Sequence, residues 1–184
     1  MRYLARLRRS GLTSALVSSI LVVRNNAMRL SLRKGFSFGL TSGVITTLGM
    51  MVGLHSSTHS RLAVVGGIIA IAIADAFSDA VGIHISEESE NRHTSREIWE
   101  STIATLFSKF FFALSFIIPV IFLRLPVAVL VSVFWGLSVI TLLSFYVARR
   151  QRIPFHKVVF EHLIIVALVI TLTHYVGSWV ATLT

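Results

Sequence analysis

Two aspartates, Asp75 and Asp79, stand in an otherwise apolar run, Ile-Ala-Ile-Ala-Asp-Ala-Phe-Ser-Asp-Ala. Four residues apart, they share one face of any helix built from that run. An ionised group inside a membrane span costs about 2.5–3.5 kcal/mol on the insertion scale, so such groups mark functional sites by default. Two carboxylates this close cannot both ionise freely: either one keeps a proton or a cation sits between them. Both outcomes suit a cation or proton pathway. The alternative is a pair bound to a Ser, Thr or Lys of a neighbouring helix for packing alone.

The acidic edge continues. Steps of three and four from Asp79 reach Ser86 or Glu87, then Glu90, Thr94 and Glu97, with Glu88 and Glu100 nearby. Five of the eight carboxylates thus fall in one short segment. Oxygen-rich clusters suit hard or borderline divalent ions; a solvated acidic loop paired with Arg92 and Arg96 is the other reading. His84 and His93 add possible nitrogen ligands. Glu161 and His162, early in the last apolar run, could relay protons or pair with Lys109. Met50, Met51 and His174 are read first as packing residues. Ser42 and Thr46 offer neutral oxygens beside a glycine stripe, Gly35, Gly39 and Gly43, whose spacing allows close helix approach. Counting 1.5 Å per residue places Ser42 and Asp75 each about 10 Å from the same edge of a core roughly 30 Å thick.

The elements that must hold these residues follow from composition. The chain has 184 residues, of which 54% are hydrophobic and 14% charged, with a mean hydropathy of +0.80. A soluble domain is nearer a quarter charged. With no cysteine, disulfide frameworks and thiolate metal sites are excluded. Five stretches are long and apolar enough to span: Phe36–Leu54, Leu62–Ile85, Ile103–Leu123, Val127–Val147 and Val158–Val180. Pro119 should kink the third.

The expected fold is an all-α integral membrane protein of five transmembrane helices. Residues 36–184 form the membrane domain, with a short acidic segment at 86–102, and residues 1–35 form a basic amphipathic N-terminal segment. Placing the N-terminus in the cytoplasm puts 14 Lys and Arg residues inside and only Arg61 and Arg124 outside, with Lys109 free to snorkel to the inner edge. The net charge of +9 then marks a membrane face, and no nucleic-acid partner is needed to explain it. Gly11–Val23 is too short for a span, and no small-residue cleavage site follows it. With Leu12, Leu16, Ile20 and Val23 on one face, it reads as an interfacial amphipathic helix; a cleaved segment or a sixth span is the other reading. A prokaryotic cell membrane is the simplest location, with membrane lipids as neighbours.

Two segments resemble the vacuolar iron transporter family. Phe38-Gly39-Leu40-Thr41-Ser42-Gly43-Val44-Ile45-Thr46-Thr47 is similar to that family's first-span motif, F-G-x-x-D-G-x-x-T-T. Ala76-Phe77-Ser78-Asp79-Ala80-Val81-Gly82-Ile83-His84-Ile85-Ser86 is similar to its second-span pattern, A-x-S-M-A-x-G-E-Y-x-S. The resemblance implies a homodimer that moves ferrous iron or a related divalent metal out of the cytoplasm against protons. It also implies an ion path between the first two spans and glutamates that gather metal. Ser42 stands where the family has Asp, Asp79 where it has Met, and Ile83 where it has Glu. Trading a thioether for oxygen favours harder ions such as Mn²⁺.

The functional expectation is therefore a divalent-cation transporter rather than an enzyme, with Fe²⁺ or Mn²⁺ as cargo and no resident cofactor. Asp75, Asp79, Ser42 and Thr46 would bind the ion; Glu87, Glu90 and Glu97 would collect it; Glu161 and His162 would take a secondary proton role. Two other readings stay open. One is a non-transporting scaffold or regulatory subunit. The other is a Mg²⁺-dependent lipid phosphotransferase or prenyltransferase, although the residues before Asp75 lack the longer signatures of such enzymes.

Overall fold

The computed structural model describes the backbone of residues 2–183 and the side chains of residues 30–183. All regular structure among them is helical. The elements are α1 (Arg2–Thr58), α2 (Arg61–Ala70), a π-helical turn (Ile71–Asp75), α3 (Ala76–Ser89), α4 (Ser95–Ser115), α5 (Ile117–Phe122), α6 (Leu125–Gln151) and α7 (Phe155–Val180). Segment 11–23 and the first apolar stretch belong to one helix, α1, and the side chains of Gly11–Val23 lie outside the described residues. Among the described residues, five segments are long and apolar enough to cross a membrane: Leu30–Thr58, Arg61–Ser89, Ser95–Phe122, Leu125–Gln151 and Phe155–Val180. They cover the five expected spans, apart from Leu123 at the end of the third, and by length and composition they suit a multi-pass membrane protein.

The second and third spans start at side-chain caps. Ser60 accepts a hydrogen bond from the Ala63 N–H at the start of α2. Thr94 and Glu97 form a reciprocal capping box at the start of α4, so this helix begins well before its apolar run. The turns at the helix ends use left-handed residues: His59, Asn91 and Arg152 have φ near +50°. Between α4 and α5 the helix is interrupted at Phe116. Pro119 has no N–H to give the Ser115 carbonyl, so the expected break occurs there. Arg61 then donates to the carbonyls of Leu123 (2.7 Å) and Ile121 (3.3 Å), tying α2 to the end of α5.

Helix α1 is the hub. It packs against α2, α3, α4, α6 and α7. Leu40, Val44, Leu48 and Met51 on α1 are buried among Val64, Ile68, Phe116, Val120, Val139, Ile140 and Val166. Met50 packs beside Gly67. Both methionines are packing residues here.

The glycine stripe of α1 faces α4. A methyl group on Gly35 would overlap the Ser101 carbonyl, and one on Gly39 would overlap Ser108 Oγ and the Thr105 carbonyl. One on Gly43 would come within 3.0 Å of the Lys109 carbonyl. Farther along, Gly49 and Gly53 receive Val169 and Thr173 of α7. The small-residue stripes of α1 are thus filled by the chain's own helices.

The bundle has a basic end, formed by Lys34, the α3–α4 turn and Arg149–Arg152. Its opposite end carries the α1–α2 turn and Arg124.

Candidate functional site

Lys109 lies on the polar face of α4, in line with Ser101, Thr105 and Ser108, all buried. This face meets the glycines of α1, so the lysine side chain enters the seam between α1, α3 and α4. It has no accessible surface. Its Nζ lies 2.6 Å from Asp75 Oδ2, forms a second ion pair with Asp79 Oδ2, and donates to Ser42 Oγ at 2.8 Å. Ser42 Oγ in turn donates to Asp79 Oδ2 at 2.6 Å. The two aspartates keep 31% and 20% of their side chains accessible. The lysine is the sealed member of the triad, and the carboxylates are its open edge.

The cation expected between the aspartates is therefore the protein's own ammonium. Lys109 does not snorkel to the edge of the bundle: two carboxylates compensate its charge where it stands, which a hydrated interface would otherwise have to do. Nor does it pair with Glu161, which is exposed on α7. The signal for this contact was available in the residue types, since a lysine inside a span needs an anion and the second span supplies two.

A π-helical turn ends at Asp75. Such turns insert one extra residue into a helix and cluster at functional positions. Here the turn closes on Asp75 itself, and Asp79 follows one α-helical turn later in α3. Periodicity in the sequence does not reveal it.

A second charged level lies toward the basic end. Glu87 is buried; Ser101 Oγ donates to its Oε2, and Lys34 Nζ lies 3.1 Å from its Oε1. Lys34 also lies 3.9 Å from Glu90, which pairs with His93 at 3.4 Å. Lys34, Glu87, Glu90 and His93 line a cavity of about 760 Å³, together with Glu97, Arg33 and Arg150. Along α1, Lys34 and Ser42 are eight residues apart, or about 12 Å. The two charged levels thus stand at successive depths of one seam.

The remaining candidates are placed as follows. Thr46 Oγ1 donates to the Ser42 carbonyl at 2.8 Å, one turn back on its own helix. Glu97 accepts from the Thr94 N–H and hydroxyl, both at 2.8 Å, and serves the α4 cap. His162 Nδ1 is hydrogen-bonded to Ser144 Oγ at 2.7 Å, joining α7 to α6 without meeting the triad. His84 pairs with Thr102 at 3.0 Å and His174 with Ser56 at 2.7 Å. Among the described residues, no group of three or more His, Asp or Glu side chains has the arrangement to hold a metal ion.

Fold and site together define a five-span helical bundle with a buried lysine–diaspartate triad. No protein-family model, curated protein or solved structure matches the chain. The two motifs quoted above meet at this site: Asp79 is in one, and Ser42, which is hydrogen-bonded to Lys109 and Asp79, is in the other.

Proposed function

We propose that this protein is a membrane cation transporter in which Lys109 is the internal counter-ion of a binding site formed by Asp75, Asp79 and Ser42. The observation that carries this reading is a sealed ammonium compensating two aspartates that remain partly open. When Lys109 withdraws or gives up its proton, the aspartates are left with two negative charges and the Ser42 hydroxyl beside Asp79, and Thr46, one turn along α1, would add a further oxygen. A divalent cation fits that state by charge and ligand type, and its entry would be linked to movement of a proton. Glu87, Glu90 and Glu97 would draw cations into the cavity at the basic end. The motif resemblance points to Fe²⁺ or Mn²⁺ as cargo and to export from the cytoplasm by alternating access. The excess of Lys and Arg supports a cytoplasmic basic end, and a prokaryotic cell membrane suits such a chain.

The proposal includes a second copy of the chain. Gly66, Ala70, Ala74, Ser78 and Gly82 recur every fourth residue and are all exposed. A methyl group on Gly66 or Gly82 would meet nothing within 4 Å. This face adjoins the open edges of Asp75 and Asp79, so a dimer formed along it would shield them from lipid.

A second reading is favoured by the contacts of the triad, in which Lys109 engages both aspartates within the chain itself. In that reading the chain is a non-transporting scaffold or regulatory subunit. Uptake of Mn²⁺ and Fe²⁺ by proteoliposomes separates the two. Transport that is lost in Asp79→Asn and Asp75→Asn supports the first. Transport unchanged in both variants removes the site assignment, and an inert wild type with stable variants supports the second.

A further inference from the structure

Helices α4 and α6 flank α1 and leave a groove of about 720 Å³ between them, with α1 as its floor. Leu32, Phe36, Leu40, Phe112, Leu142 and Trp135 line it, and its walls are almost wholly apolar. From Tyr146 to Trp135 it follows eleven residues of α6, or about 16 Å. That length matches half of a hydrocarbon core roughly 30 Å thick, the depth of one leaflet. Trp135 closes the inner limit, held by its Nε1 donating to Ser115 Oγ at 3.1 Å.

At the basic end the groove runs into the polar cavity, and Arg33, Ser37 and Tyr146 line both. Arg150 also lines the cavity, its guanidinium 5.8 Å from the centre of the Tyr146 ring. The carboxylates there are engaged: Glu87 and Glu90 by Lys34, and Glu97 by Thr94. Among the described residues no carboxylate pairs with Arg33 or Arg150. An apolar slot one leaflet deep thus opens beneath two guanidinium groups. Guanidinium is the side-chain group best matched to phosphate.

We propose that this groove holds an acyl chain of an anionic phospholipid, with the lipid phosphate bound by Arg33 and Arg150. This rests on the membrane setting of the preceding reading and is independent of transport. The occupant is a lipid and not a free anion, because the apolar slot is continuous with the basic mouth. The groove also touches the seam helices: its floor carries Ser37 and Leu40, within one or two turns of Ser42.

The test uses the full chain purified in detergent and its melting temperature. Dioleoylphosphatidylglycerol should raise it by about 5 °C at saturation, and dioleoylphosphatidylcholine by less than half as much. Arg33→Gln/Arg150→Gln should erase the difference between the two lipids. Ala104→Phe, which fills the groove, should erase the response to both. If that variant does not fold, Leu142→Trp serves instead, because Leu142 is largely exposed on the groove's rim. Equal shifts with the two lipids would overturn the headgroup site. The same shift from inorganic phosphate alone would replace the lipid with a free anion. A full response in the filled variant would remove the groove from the proposal. None of these outcomes alters the proteoliposome result, so this inference and the transport reading fail separately.

Discussion

Lys109 on α4 has no accessible surface, while Asp75, 2.6 Å away on the second span, keeps 31% of its side chain open. The inequality gives the pair a direction. The lysine cannot be hydrated in place, so its charge depends on the two aspartates. The aspartates, at the edge, have another side to turn to.

Removing the lysine should therefore cost more than removing either partner. Lys109→Met is expected to lower stability by about 3–5 kcal/mol, because it leaves two carboxylates in an apolar seam without a counter-charge. Adding Asp79→Asn to that variant should recover at least about 1 kcal/mol, since the two changes fall within one network. Denaturation of the purified variants in detergent completes the cycle. Additive losses would mean that the contact carries no coupling.

The glycines of α1 should differ sharply from those of the second span. Gly39→Ala forces a methyl group onto Ser108 Oγ and the Thr105 carbonyl, and overpacking of this kind costs about 1–3 kcal/mol. Gly82→Ala meets nothing within its own chain, and its effect on the fold of the single chain should stay within about 0.5 kcal/mol. Melting temperatures of the two variants compare them directly. A larger loss at Gly82 would show that its face is covered by something outside this chain.

Glu87 and Glu90 share Lys34 but not burial. Glu87→Gln should destabilise the protein by about 1–3 kcal/mol, because a sealed carboxylate loses charge-assisted bonds to Lys34 and Ser101. Glu90→Gln, at a half-exposed position, should cost less than about 1 kcal/mol. Chemical denaturation distinguishes them. Similar costs would mean that the second charged level behaves as a surface network.

A cysteine-free chain makes the dimer face easy to probe. Ala74→Cys should form an intermolecular disulfide on mild oxidation in membranes, because small-residue packing brings backbones close enough for that bond. Leu168→Cys, also exposed but on α7, should remain reduced. Non-reducing electrophoresis reads both. Cross-linking at Leu168 but not at Ala74 would move the interface.

Much of this architecture was legible before any coordinates. The five apolar runs locate the spans because lipid demands continuous hydrophobicity, and Pro119 locates the break because a missing N–H acts locally. The helix ends were less legible. Thr94 and Glu97 extend α4 through polar residues that a hydropathy count assigns to a loop. Asp75, Asp79 and Ser42 were recognisable by type and depth, and they do meet. Lys109 was misplaced because its role is set by a tertiary event: α4, not the second span, fills the glycine stripe of α1. The π-helical turn before Asp75 leaves no trace in a four-residue spacing.

The buried ammonium of Lys109 has one more consequence. It is a ligand tied to its own receptor, so its effective concentration at the aspartates is that of an intramolecular group, commonly in the millimolar range or above. Any cation arriving at this seam would have to outbid a resident that never diffuses away, and its apparent affinity would fall by the fraction of time the resident is in place. A monovalent ion would replace one positive charge with another and leave the local charge unchanged. A divalent ion would bring the aspartates to neutrality. In the proposed transporter the tethered lysine would act as a charge filter, written into the chain sixty-seven residues after the serine it touches.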